Sequence, residues 1–172
     1  MPVIVVTRLR LRDPAYFDDF FASAVAVVEQ ATKAEGNLGA DVLAEANNTY
    51  WTRTAWRERD AMNAFVGSQP HLGTMGRLSD WCDEATFVDW EQAGPDLPDW
   101  QAGYRRLVAD GQAASLTHAT DAHHPRLPLP GRVCVAARGR RVTPSGRSAW
   151  PGSRTPRRTR PAPAAARPRG TR

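Results

Sequence analysis

The chain has 172 residues and a formal net charge of +5, but the charge is spread unevenly. Residues 1–126 carry 11 Lys and Arg residues and all 18 acidic residues, a balance of −7, whereas residues 127–172 carry 12 Arg residues and no acid. The basic average therefore gives no reason to assign nucleic-acid binding to the folded part. No apolar stretch approaches the roughly 18–20 residues of a membrane-spanning helix, so no membrane partner is expected. Two cysteines make no disulfide framework, which indicates a cytoplasmic protein.

The first predicted elements are a strand and a long helix. Val3–Leu11 alternates its side chains with a period of two and is rich in β-branched residues, which is typical of a strand. Asp13 and Pro14 then supply an N-cap and a first helical position. Apolar residues at helical spacing continue to Ala31, and Gly36 ends the helix.

A hairpin follows, in which Leu38–Glu45 and Thr49–Arg57 are strands joined by Asn47 and Asn48 at positive φ. In the second of these strands, Tyr50, Thr52, Thr54 and Trp56 share one face, and Trp51, Arg53 and Ala55 share the other. The remaining patterns predict two helices, a fourth strand and a C-terminal helix, at Glu58–Val66, Pro70–Cys82, Ala85–Glu91 and Pro98–Ala109.

The order β-α-β-β-α-β predicts a ferredoxin-like α+β fold, an antiparallel four-stranded sheet with helices on one face. A lone protomer would expose the other face, so we expect a homodimer packed face to face. We predict three parts: the ferredoxin-like domain over residues 1–94, a helix-and-loop extension over 95–126, and a tail over 127–172.

The Arg/Pro-rich tail is predicted to be disordered, because it buries too little apolar surface to offset the entropy of ordering. Its arginines have the charge to bind nucleic acid through counterion release. A dispensable extension or a shifted reading frame explains the abrupt change in composition better, so nucleic acid is not an expected partner.

Two charged or titratable residues are candidates for chemistry. His71 is the one histidine of the predicted ferredoxin-like domain; it is interpreted either as a general base or haem ligand facing the space between helix and sheet, or as a core histidine bound to a backbone carbonyl. Arg53 lies between Trp51 and Ala55, where it either holds an anionic phenolate, enolate or carboxylate, or forms a salt bridge with an acid across the dimer, or is exposed at a sheet edge. The tryptophans form either an aromatic pocket or the core and dimer interface.

The run from Tyr50 to Trp90, YWTRTAWRERDAMNAFVGSQPHLGTMGRLSDWCDEATFVDW, resembles the dimeric α/β-barrel superfamily, and within it the antibiotic-biosynthesis-monooxygenase-like proteins. The features that carry the resemblance are the aromatic strand ending in Trp56, the acidic cap and helix that follow it, His71, and the entry to the fourth strand. The likeness covers roughly residues 2–92.

The resemblance implies a monooxygenase-like protein that oxidises a small hydrophobic or aromatic metabolite with O₂ and no cofactor. His71 would be the base and Arg53 would stabilise the anion. Pocket residues would be Thr7, Trp51, Trp56 and Trp81. The alternative is a non-catalytic dimeric domain that binds a small molecule or haem.

In the haem-degrading branch of the superfamily an Asn, a Trp and a His form the working set. Thr7, Phe65 and Met75 stand at those positions here, so haem is only weakly implied.

Two further interpretations start from other residues. Removal of Met1 would expose Pro2 as a secondary amine, similar to the tautomerase family, and Arg8 and Arg10 would then bind a dicarboxylate. Ligand-type side chains also cluster late in the chain, at His118, Asp121, His123 and His124. That stretch is predicted to be a loop, which lacks the rigid support that metal sites have, so no metal site is predicted.

Overall fold

The computed structural model describes residues 1–121 and residue 123, so the tail predicted over 127–172 and His124 lie outside the described residues. The helices and strands run in the order β1 (Val3–Leu11), α1 (Phe17–Lys33), β2 (Asn37–Glu45), β3 (Thr49–Trp56), α2 (Arg59–Val66), α3 (His71–Trp81), β4 (Cys82–Glu91), α4 (Trp100–Asp110) and β5 (Gln112–Ala113). Within this part of the chain, no helix is long and apolar enough to cross a membrane.

The strands form one antiparallel sheet in the order β2-β3-β1-β4-β5. The first four strands and the helices between them confirm the predicted ferredoxin-like arrangement. β5 adds a fifth strand that the sequence did not indicate, because two residues are too few to show a period. It pairs with Thr86 and Phe87 of β4.

Local sequence signals account for most of the element boundaries. Asp13 accepts a hydrogen bond from the N–H of Ala15 at 2.8 Å, but it caps a 3-10 turn that precedes α1 rather than α1 itself. Asn47 and Asn48 adopt φ values of 59° and 54° in the hairpin, as predicted. Gly36 has a φ of 79° and follows α1.

The two faces of the sheet are covered by different helices. On one face, which we call the helical face, Val3 and Leu9 of β1 pack in clusters with side chains of α1, α2 and α3. On the other, which we call the α4 face, Ile4 and Val6 pack with Leu107 of α4. Successive residues of a strand point to opposite faces, so β1 separates the two layers.

This coverage corrects the expectation of an exposed second face. Leu107 is 0% exposed against the α4 face, and an added Cβ on Gly103 would lie 3.2 Å from a methyl group of Val6. The helix over Pro98–Ala109 was predicted from its apolar spacing, but spacing does not say which surface a helix covers. Within the described residues, the reason given for a face-to-face homodimer therefore no longer holds.

Candidate active site

A cavity of about 100 Å³ lies between the helical face of the sheet and helices α1 and α2. Its apolar wall includes Val27, Ala31, Met62, Phe65 and Trp56. The polar residues that line it are Thr7, Thr52, Thr54, His71 and Asp41, the last of which directs its side chain to the other face of the sheet, beside Arg53. Of the six site residues predicted from the sequence, the cavity brings together Thr7, Trp56 and His71.

His71 is the first residue of α3, and two contacts hold its ring. Nδ1 lies 3.2 Å from the carbonyl oxygen of Val66, and the ring centroid lies 4.6 Å from that of Phe65. A carbonyl oxygen only accepts hydrogen bonds, so Nδ1 carries the proton and the neutral ring has its lone pair at Nε2. Burial lowers the pKa of His71 below 6.5, and the hydrogen bond to Val66 opposes this shift.

His71 has features of both interpretations that were made from the sequence. The ring is bound to a backbone carbonyl, as expected of a structural histidine, and it also lines the cavity. Among the described residues, Nε2 has no hydrogen-bond partner. A neutral imidazole with a free Nε2 has the protonation state that a general base needs.

Thr7 and Thr52 are direct cross-strand partners on β1 and β3, and both line the cavity. Directly opposite residues have Cβ atoms about 4.5–5.5 Å apart, which places the two side chains next to each other. Neither hydroxyl has a hydrogen-bond partner within residues 1–121. The pair is therefore able to donate to an anionic oxygen. Thr52 was assigned to a strand face but not to the site, because alternation does not identify the residue opposite it.

Trp56 is both a core residue and a cavity wall. Its side chain is 0% exposed, and its Nε1 donates a hydrogen bond to Oγ1 of Thr54 at 2.9 Å. Its ring lies 4.8 Å from that of Phe65. This arrangement keeps the wall rigid and satisfies the one polar atom of the indole.

Arg53 lies on the α4 face, away from His71, which corrects the expectation that the two share a pocket. Its guanidinium bonds to the carboxylate of Asp41 at 2.6 Å and to the carbonyl oxygen of Pro98, and it covers the ring of Trp100 at 4.2 Å. The physical reason is that side chains alternate between the two faces of β3, so residue 53 points away from residues 52, 54 and 56. The arginine thus forms a salt bridge within its own chain, which differs from the bridge across a dimer that the sequence suggested.

Trp51 and Trp81 also lie outside the cavity lining. Trp51 belongs to the core of the α4 face and donates its Nε1–H to Glu45 at 3.0 Å. Trp81 packs edge-on against Phe20 in a separate cluster, with the guanidinium of Arg77 4.1 Å from its ring. Both tryptophans therefore serve as core, and Trp56 alone of the three predicted ones borders the site.

The groups of the tautomerase interpretation are engaged elsewhere. Arg8 is bonded to Glu84, and Arg10 forms two hydrogen bonds with Asp83 at 2.8 and 3.0 Å. The carbonyl of Pro2 accepts a hydrogen bond from the backbone of residue 92, and Pro2 does not line the cavity. A dicarboxylate would have to displace these internal carboxylates.

The late histidine cluster contributes to the fold. His123 accepts a hydrogen bond from the N–H of Ala85 at 3.3 Å, and its Nε2 lies 2.8 Å from the carbonyl of Ala114. The prediction of a simple loop missed this contact, since nothing in the local sequence indicates a long-range partner. In the part of the chain that the structure describes, no three His, Cys, Asp or Glu side chains are grouped to hold a metal ion.

The cavity does not fit a haem. Its volume of about 100 Å³ is below the roughly 300–1,000 Å³ of sites that enclose ligands of that size. Met75, at the position of the haem-branch histidine, is 40% exposed and does not line the cavity. We therefore derive no chemistry through haem.

Part of the chain also matches a known protein family. Residues 2–77 match the family model described as antibiotic biosynthesis monooxygenase. This part of the chain therefore resembles the antibiotic-biosynthesis-monooxygenase family. The match spans β1 through most of α3 and includes Thr7, Thr52, Trp56 and His71. It confirms the resemblance inferred from the sequence.

The chain is also similar to several solved structures. Rv0793 from Mycobacterium tuberculosis aligns with a TM-score of 0.50 and 18% identity, over 55% of this chain and 97% of that one. A conserved protein from Methanosarcina mazei Go1 gives a TM-score of 0.49 and 17% identity, over 54% and 94%. SnoaB, a cofactor-independent oxygenase from Streptomyces nogalater, gives 0.43 and 20%, over 55% and 98%. At this identity the likeness to Rv0793 shows the fold alone. No curated protein matches the chain.

Proposed function

We propose that the monooxygenase-like domain oxidises a small phenol or enol with O₂ and without a metal or flavin. The observation that carries the proposal is that one cavity holds a neutral histidine with a free Nε2 and a pair of unpartnered threonine hydroxyls. A base and an anion-stabilising pair are the two elements that deprotonation of a hydroxyl requires. The family match supports the same class of reaction.

In the proposed reaction, Nε2 of His71 takes the hydroxyl proton of the substrate, and Thr7 and Thr52 donate hydrogen bonds to the resulting anion. The anion gives one electron to O₂, and the two radicals join to form a C–O bond at the ring carbon opposite the oxygen. His71 returns its proton to the peroxide. Loss of the proton on that carbon and cleavage of the O–O bond then release water and leave a quinone.

The atoms and electrons of this sequence balance without an external reductant. One atom of O₂ enters the product and the other leaves as water. All four electrons that reduce O₂ come from the substrate. The reaction therefore needs no group beyond the substrate, O₂ and the side chains of the cavity.

The cavity limits the substrate in size and acidity. An engineered apolar cavity of about 150 Å³ accommodates benzene, so a cavity of about 100 Å³ favours a single ring and requires small shifts of its walls. An ordinary phenol has a pKa of about 10, at least about 3.5 above the lowered pKa of His71, so proton transfer costs about 5 kcal/mol or more. We therefore expect a phenol or enol acidified by a neighbouring carbonyl group.

Oxygen uptake with a panel of single-ring acyl phenols, together with larger anthrone-like phenols, tests the proposal. We expect one O₂ consumed per quinone formed. His71→Ala should lower the rate by about 10²–10⁴-fold, the usual contribution of a general base. Thr7→Val and Thr52→Val should each lower it about tenfold or more, because each removes a hydrogen bond to an anion.

The matched control is His118→Ala, which removes an exposed histidine far along the chain from the cavity residues. Its rate and thermal melt should equal those of the unmodified protein. Saturable ligand binding without O₂ consumption would contradict the proposal and leave a binding domain. A parallel haem titration distinguishes a haem-binding domain from one that binds only small phenols.

A further inference from the structure

Helix α3 begins at His71 without a cap from the residue that precedes it. Pro70 makes no side-chain hydrogen bond to the first turn, and the first N–H groups of a helix have no partner within it. Two glutamines supply acceptors instead. Oε1 of Gln30, on α1, accepts from the N–H of His71 at 2.8 Å, and Oε1 of Gln69 accepts from the N–H of Gly73 at 3.2 Å.

The other end of the Gln30 amide holds the end of α2 and the turn. Its Nε2 donates to Oγ of Ser68 at 2.7 Å and to the carbonyl oxygen of Phe65 at 3.2 Å. One side chain on α1 therefore binds both the last turn of α2 and the first residue of α3. Gln69 makes no such connection, because its bond to Gly73 is local.

The ring of His71 depends on the segment that Gln30 holds. Its Nδ1–H bonds to Val66 and its face contacts Phe65, and both residues lie at the end of α2. A shift of α3 relative to α2 would break both contacts. We propose that Gln30 is a positioning residue, which keeps the His71 ring in the cavity with the proton on Nδ1 and the lone pair on Nε2.

The expected effect of Gln30 on turnover rests on the proposed function. The expected effect of Gln30 on the position and protonation of the His71 ring does not. Gln30→Met keeps the length and volume of the side chain and removes both the donor and the acceptor. Gln69→Met is the matched control, since it removes one cap hydrogen bond from the same helix end without affecting the connection to α1.

Nuclear magnetic resonance of the imidazole in the full chain provides the readout. In the unmodified protein His71 should titrate below 6.5 with its proton on Nδ1, because the ring is buried and bonded to Val66. In Gln30→Met the titration should move up toward 6.5 and the Nδ1–H preference should weaken. Gln69→Met should leave both the titration and the Nδ1–H preference unchanged, although it also removes a hydrogen bond from the first turn of α3.

Equal His71 titrations in Gln30→Met and the unmodified protein would overturn the inference. If Gln30→Met does not fold, Gln30→Asn serves instead, because it keeps the amide but shortens the side chain by one methylene group, so the amide no longer reaches both Ser68 and the N–H of His71. An upward shift in that variant supports the inference, and an unchanged titration overturns it.

A kinetic comparison adds a second readout where the protein turns over. Gln30→Met should lower kcat with little change in KM, because the base is displaced and the apolar walls remain. Absence of turnover in the unmodified protein would count against the proposed function only, since the imidazole titration is measured without substrate.

Discussion

At the scale of single residues, the state of His71 follows from its surroundings. Burial disfavours the imidazolium, and Val66 fixes the proton on Nδ1. Asp41 also borders the cavity, but its carboxylate lies on the opposite face of the sheet, paired with Arg53 at 2.6 Å. Desolvation is the largest cause of the lowered pKa of His71.

This state predicts a pH dependence of stability. The pKa of His71 is lower in the folded protein than its ordinary value of 6.5, so the unfolded chain binds more protons between the two values. The contribution of His71 to the free energy of unfolding is complete above pH 6.5 and is lost as the pH falls toward the folded pKa. Chemical denaturation from pH 7.5 to 5 measures this loss, and His71→Asn should remove that part of the slope. An identical slope in the variant would contradict the prediction.

At the scale of elements, α1, α2 and the strands meet closely at one glycine. Gly36 has a φ of 79°, which L side chains rarely adopt, and an added Cβ would lie 2.6 Å from the Cβ of Ala61 on α2. The position therefore joins a left-handed turn to a close approach between elements. Both the end of α1 and the docking of α2 depend on it.

Two glycine substitutions should change stability in opposite directions. Gly36→Ala should lower the free energy of unfolding by more than about 1 kcal/mol, because it combines a positive φ with a clash. Gly76→Ala lies in α3 with nothing within 4 Å of the added methyl group. It should raise stability by up to about 1 kcal/mol through helix propensity. Urea denaturation measures the free energy of unfolding of both variants. An equal change in the two variants would contradict this prediction.

At the scale of the whole molecule, α4 decides which sheet surface is available. Its Leu107 and Tyr104 pack with Ile4 and Val6 on the α4 face, which the sequence alone left open for a second copy. A face-to-face homodimer remains a prediction for this chain. In the structure described here it would require α4 to leave its place.

Displacing α4 should therefore promote self-association. Leu107→Arg puts a charge at a position that is 0% exposed, so α4 can no longer pack and its apolar partners on the sheet are uncovered. Sedimentation should show larger species whose amount rises with concentration. Ala109→Arg adds the same charge at an exposed position of α4 and should sediment like the unmodified protein. Identical sedimentation of both variants would contradict this role of α4.

The sequence by itself determined the order of strands and helices, because alternation, caps and turn residues act over a few neighbours. Val3–Leu11 as a strand, the Asn47–Asn48 turn and the family resemblance follow from such signals. Local periodicity also separated Thr52 and Trp56 from Arg53 on β3, but it did not say which face borders the cavity.

Only the tertiary structure decided that question. The cavity lies where α1 and α2 pack on β1 and β3, and this packing brings Thr7 beside Thr52 and excludes Arg53. The contacts of Gln30 also could not be predicted from the sequence, because its partners Ser68 and His71 lie about forty residues away. Contacts of that kind depend on the register of strands and the docking of helices, which are properties of the folded chain and not of neighbouring residues.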